Sequence, residues 1–350
     1  MSLLATLQRL DEALRRGTDA AATLDDIAAH HDAIVSAVED ACARRHPDAL
    51  RLVGAAARYW WMRGHVAAGR ALTARALAAV AEAPPSALGG AHHAAGDLAR
   101  ASGDYAAACT HYPRAIDAWR RAADPERVAE AQDGMGIACR ERGELDTAAV
   151  LHAAARDAFR ATRRPAAAAL ASHNLAVVAA RRGQYALAAA GHRDALAQRR
   201  RLGDTRGIAS SLNNLGVLAL FADRQAGAAR ALFEEALDLR RSLGDDWGAA
   251  ASEVCLGWAL RASAPDAARG CFCAGLAGFV AVGDRLGIAE SLEGLAALEQ
   301  DGGLLATAEG LREALGLPTP IVRRAVYAEV FRGLVGEPVA LADALARYAR

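Results

Sequence analysis

The feature that most constrains this chain is its agreement with itself at a shift of about 40 residues. His173-Asn174-Leu175-Ala176 lies over Asn213-Asn214-Leu215-Gly216 at a shift of 40, and Ala195-Leu196 over Ala236-Leu237 at a shift of 41. Arg201-Leu202-Gly203-Asp204 recurs as Ser242-Leu243-Gly244-Asp245 and Ala281-Val282-Gly283-Asp284, and Gly183 aligns backwards with Gly143, Gly103 and Gly64. A unit this short cannot bury its apolar face alone and must stack on its neighbours. Seven units follow, at 48–82, 86–123, 125–163, 165–203, 204–244, 245–283 and 284–316, with helical caps at 1–47 and 317–350. The fold class expected is all-α, a right-handed superhelical α-solenoid.

Each unit reads as two helices. Asp204, Asp245 and Asp284 follow a glycine and can each accept hydrogen bonds as an N-cap. Asp124-Pro125-Glu126 adds proline at the first helical position and an acid in the first turn. Gly64, Gly103, Gly143 and Gly183 fall mid-unit, where a tight turn needs a left-handed backbone. Small residues recur where helix axes must cross closely: Ala57, Gly96, Gly136, Ala176, Gly216, Gly257 and Ala296 in the first helix, with Ala108, Ala148, Ala188, Ala229, Ala268 and Ala308 in the second. A further small-residue position, Ala195 and Ala236 among others, becomes Leu315 in the last unit, where the stack is expected to end.

Composition agrees with helix throughout. Hydrophobic residues make up 53% but aromatics only 5%, the excess being alanine. Lys+Arg and Asp+Glu are both 41, so no basic field for nucleic acid is expected. Every base is arginine, which excludes a Walker or Schiff-base lysine and a Ser-Lys dyad. The six cysteines have no metal-type spacing, and neither metal nor cofactor is expected. No signal peptide or membrane span is read, so the expected location is the cytoplasm.

Asn174-Leu175-Ala176, Gly183-Gln184-Tyr185, Ala188 and Ala195-Leu196 together resemble the tetratricopeptide consensus, in the longer kinesin-light-chain-like variety; Gly103-Asp104-Tyr105 and Gly143-Glu144-Leu145 repeat it. That resemblance implies a groove lined by the first helices. Ala29-His30-His31-Asp32-Ala33-Ile34, with Tyr59-Trp60-Trp61-Met62-Arg63-Gly64, is similar to the segment after the ATPase in bacterial LuxR-like and SARP-like STAND regulators, and 306–316 resembles their last repeat. This implies a sensor region alone, because the chain has no G-x-x-x-x-G-K-[ST] loop and no helix-turn-helix after 316.

Counting from the small crossing residue, three columns are predicted to face inward. His93, Asp133, His173 and Asn213 form a polar column three residues before it. Asp97 and Trp258 lie one residue after it, and Arg100, Arg140 and Arg261 four after. Asn174 and Asn214 stand where peptide-binding tetratricopeptide proteins hold a ligand backbone. The expected function is a regulatory module that binds a peptide, protein or effector in the groove, in transcriptional regulation for instance; homodimerisation is left open. The alternative is a small-molecule sensor or recruited enzyme, in which His93, Asp133 and His173 converge in an enclosed pocket.

Overall fold

A computed structural model describes residues 2–16 and 20–349, and all regular structure among them is helical. The chain divides into two compact units, Met1–Ala171 and Ser172–Arg350. Unit 1 opens with α1 (Leu3–Arg16), α2 (Ala20–Ala28) and α3 (His31–Ala43). Three hairpins follow: α4 (Asp48–Met62) with α5 (Val66–Ala79), α6 (Pro85–Ala101) with α7 (Tyr105–Arg121), and α8 (Pro125–Glu141) with α9 (Leu145–Ala161).

The chain enters unit 2 within α10 (Pro165–Arg181), which precedes α11 (Tyr185–Leu202). Then come α12 (Thr205–Val217) with α13 (Ala226–Ser242), α14 (Asp246–Leu260) with α15 (Pro265–Val282), and α16 (Arg285–Glu299) with α17 (Gly302–Leu315). Two shorter helices, α18 (Ile321–Val330) and α19 (Leu341–Tyr348), end the unit.

The local chemistry explains these elements. The carboxylates of Asp104, Asp124, Asp204, Asp245 and Asp284 each accept the backbone N–H of the residue three later, at 2.9–3.1 Å. Gly103 and Gly143 turn the chain at φ +76° and +83°, where a side chain would be strained. The core is rings set on glycine floors. A Cβ on Gly96 would lie 2.8 Å from the Tyr112 ring, on Gly136 2.7 Å from His152, on Gly216 2.5 Å from Phe233, and on Gly257 2.7 Å from Phe272. Ala108, Ala148, Ala188, Ala229, Ala268 and Ala308 are all fully buried, whereas Leu315 is exposed.

One first helix departs from the pattern. The segment after α12, Leu218–Ala222, is a π turn and not regular α-helix. It absorbs the residue by which the repeat shift grows from 40 at Asn213 to 41 at Ala236. The following turn uses Arg224 at φ +57° in place of a glycine.

All six cysteines are free thiols. Among the described residues no helix is long and apolar enough to cross a membrane, and no three His, Cys, Asp or Glu side chains gather as a metal would require.

Candidate functional site

In unit 1 the first helices α4, α6 and α8 meet the N-terminal helix α1 around a recess of about 270 Å³. Its polar lining includes Asp11 from α1, Arg58 from α4, His93 and Asp97 from α6, and Arg127 and Glu130 from α8. Helix α1 is fastened across these helices by charge. Arg15 donates to Glu130 at 2.5 Å and to Glu126 at 3.2 Å, and Asp11 lies 3.6 Å from Arg58 and 3.8 Å from Arg127.

Burial sets the protonation of these groups. It raises the Asp11 pKa despite Arg58, Arg127 and Arg15 nearby. It lowers that of His93, with Asp97 opposing. Burial also works against the Asp97 charge, but His93, Arg100 and the Tyr112 hydroxyl hold its pKa below the usual carboxylate range. Tyr112 donates to Asp97 at 2.7 Å, and Arg100 lies over the Trp61 ring at 5.7 Å.

His93, Asp97 and Arg100 therefore gather on α6, with His93 and Asp97 in the recess. Asp133 does not line it: His152, fully buried on α9, donates from Nδ1 to the Asp133 carboxylate at 2.6 Å. Arg140 pairs with its neighbour Glu141 at 2.8 Å.

In unit 2, two buried arginines join the expected residues. Arg199 donates from Nη1 to the Gly207 carbonyl at 2.9 Å, to Ser211 Oγ at 2.7 Å and to His173 Nδ1 at 3.3 Å. Arg240 repeats this on Gly248 at 2.6 Å and Ser252 at 2.8 Å, and Ser252 donates to Asn213 Oδ1 at 3.5 Å. Burial lowers the pKa of both guanidinium groups, with Asp204 opposing at Arg199 and Cys255 and Asp245 at Arg240. His173 and Asn213 are half-buried, and Asn214 donates to the Ser210 carbonyl of its own helix at 3.1 Å. Asn174 is buried.

The arginines were not singled out from the sequence, although a signal exists. Trp119, Arg199, Arg240 and Phe279 all hold one register, five residues before a capping aspartate whose N–H bonds their carbonyl. An arginine replaces the ring in two consecutive units.

Trp258 does not face open solvent. Helix α18 lies against the first helices of unit 2, and Tyr327 stacks on Trp258 with centroids 5.1 Å apart. Arg323 sits over the Phe221 ring at 5.4 Å, Tyr327 donates to Glu293 at 2.8 Å, and Val322 packs with Ala179 and Leu218. Arg312 also donates to Glu293. Arg261 lies 5.9 Å from the Trp258 ring, and its pKa is lowered by burial. The inward count finds the first-helix face but carries no information on which distant helix covers it.

The tetratricopeptide-repeat family model matches residues 88–161 and 167–242. No curated protein is similar enough in sequence to match. Among solved structures, a Rap protein complexed with competence and sporulation factor is 14% identical over 95% of this chain and 92% of its own, with a TM-score of 0.71. The Rap conjugation gene regulator of plasmid pLS20, in complex with the Phr* peptide, is 16% identical over 82% and 77%, at 0.59. BtubC (BKLC) from P. vanneervenii is 20% identical over 63% and 91%, at 0.50. At these identities the likeness is one of fold. The recurring asparagine-glycine-alanine register, the stacked helix hairpins and the matched segments together show tetratricopeptide repeats in this chain.

Proposed function

We propose that the chain is a regulatory module that binds a peptide or protein segment on the first-helix face of unit 2. The observation that carries this reading is that the face already holds one such segment. Helix α18, from the chain's own C-terminal region, seats an aromatic side chain on Trp258 and an arginine on Glu290, at 3.1 Å. Beside it, Arg199 tethers His173 and Ser252 tethers Asn213, so two hydrogen-bonding groups are held in fixed orientations on successive repeats. Groups oriented before binding lose less entropy when a ligand arrives. Asn214 adds an amide on the same helix as Asn213. The fold of the two Rap structures, solved with a factor and with a peptide, supports the same reading.

A regulatory role is supported by the resemblance of 29–34 and 59–64 to the sensor part of STAND regulators. A cytoplasmic setting and a task in transcriptional control follow from that resemblance as parts of the proposal. The test is selection of a displayed random 12-residue peptide library on the full chain, then hydrogen–deuterium exchange with the enriched peptide. Protection of α10 and α12 supports the reading. No enrichment, or protection confined to the second helices α11 and α13, refutes it.

A further inference from the structure

We propose that the recess in unit 1 is a binding site for a small carboxylate with an apolar or aromatic body, held by Arg58, Arg127 and Trp119. It uses other residues than the peptide reading and stands apart from it.

The hydrogen-bond inventory points to the ligand's chemistry. Among the described residues, three nitrogens that belong to recess-lining side chains are buried with no hydrogen-bond partner: Arg58 Nε, Trp119 Nε1 and His93 Nδ1. The first two can only donate, and the third does either. Two of the three carboxylates beside them are already served, and the third, Asp11, is a single acceptor 3.6 Å from Arg58 Nε. Asp97 accepts from Tyr112, and Glu130 from Arg15 and Arg127. The unmet demand is therefore for an acceptor, and a buried donor left unpaired costs free energy that an incoming acceptor recovers.

Charge narrows the class further. Arg58 and Arg127 share one carboxylate, Asp11, at 3.6 and 3.8 Å, beyond hydrogen-bond length. Two guanidinium groups that share one acceptor without touching it leave room for a second anionic oxygen. The rest of the lining mixes polar Gln8, Arg51 and Ser86 with small apolar groups. Leu50, Ala55, Ala87 and Ala94 contribute, and Gly54 and Gly90 bring the backbones of α4 and α6 together, so that a Cβ on Gly54 would lie 3.2 Å from Gly90. Trp119 adds an aromatic edge. The volume, about 270 Å³, is near the low end of ligand pockets, which run roughly 300–1,000 Å³. An apolar body with one carboxylate fits; a long peptide does not.

The test uses the full chain and a panel of acetate, butanoate, benzoate and phenylacetate, each against its amide, with inorganic phosphate and sulfate at matched ionic strength. Thermal shift ranks the probes, and calorimetry measures the best one. At least one carboxylate is expected to stabilise the chain and bind one per chain, with its amide inert. Arg58→Gln is expected to weaken it about tenfold. Trp119→Phe keeps an aromatic side chain while removing the N–H together with the five-membered ring, so it guards against a misfolded arginine variant; it is expected to weaken binding several-fold. Equal stabilisation by the amides or by phosphate, or unchanged affinity in both variants, overturns the proposal. His173→Ala and Asn213→Ala leave carboxylate binding intact, which separates this outcome from failure of the peptide reading.

Discussion

His152 on α9 donates from Nδ1 to the carboxylate of Asp133 on α8 at 2.6 Å, with the histidine ring lying on Gly136. This bond takes a residue counted inward by register and turns it into a structural partner. The ring position is one that Tyr112 fills in the preceding unit, and there too the ring's polar atom reaches a first-helix aspartate, Asp97, at 2.7 Å.

Removing Asp133 leaves a buried N–H unpaired. Asp133→Ala is expected to destabilise the fold by about 1–3 kcal/mol in denaturant melts. The double variant Asp133→Ala/His152→Phe, which removes both polar groups and keeps a ring, is expected to recover most of that loss. A double variant no more stable than Asp133→Ala contradicts the pairing.

The glycine floors make a second expectation. Gly216→Ala puts a Cβ 2.5 Å from the Phe233 ring and is expected to cost about 1–3 kcal/mol. Gly227→Ala, near the start of α13, meets nothing within 4 Å and is expected to be neutral or stabilising by up to about 1 kcal/mol. Thermal melts of the two side by side make the comparison, and equal effects would refute the packing account.

Much of this was legible in the sequence because it is periodic. The turn glycines, capping aspartates and small crossing residues each recur at one shift, and each has one physical job. The step from 40 to 41 between Asn213 and Ala236 marks one added residue, but its uptake in a π turn at Leu218–Ala222, and not in the loop that follows, is seen only in the structure. What periodicity cannot carry is a contact made once. Arg15 reaches Glu130 across 115 positions, and Tyr327 reaches Glu293 across 34. Such contacts decide which inward residues stay accessible: Trp258 is covered, while His173 and Asn213 keep an exposed edge. Arg199 and Arg240 were missed because an arginine at a second-helix end reads as an ordinary exposed charge.

Acid should weaken the fold through buried histidine. Burial, and secondarily Arg199, lowers the pKa of His192 from 6.5 to about 4. A depressed folded pKa means the unfolded chain binds the proton more readily between those values, so this stability is complete above pH 6.5 and lost as pH falls towards 4. The loss for His192 is about 2 kcal/mol at pH 5. His92, lowered to about 4 by burial and by His111, acts in the same direction. His192→Phe, matching Phe233 and Phe272 in register, is expected to flatten the fall in melting temperature between pH 7 and pH 5; an unchanged slope contradicts the assignment.

The seat of α18 rests on a buried carboxylate. Glu293 accepts from Arg312 and Tyr327, while Arg323 pairs with Glu290 beside them. Burial disfavours the Arg323 charge, but Glu290 raises its pKa well above normal. Glu293→Gln leaves Arg312 short of its partner and is expected to cost about 3 kcal/mol. Limited proteolysis should then cut near 317–330 first. Unchanged cleavage would mean that α18 is held by its aromatic contacts alone.

The peptide-binding reading stands or falls on one comparison, the dissociation constant of a library-selected peptide for the wild-type chain and for His173→Ala/Asn213→Ala, by fluorescence anisotropy. A loss of about tenfold or more in the double variant, with an exposed control, Arg230→Ala, unchanged, is the expected result. Equal affinity in all three proteins would contradict the assignment of the unit 2 first-helix face as the binding surface.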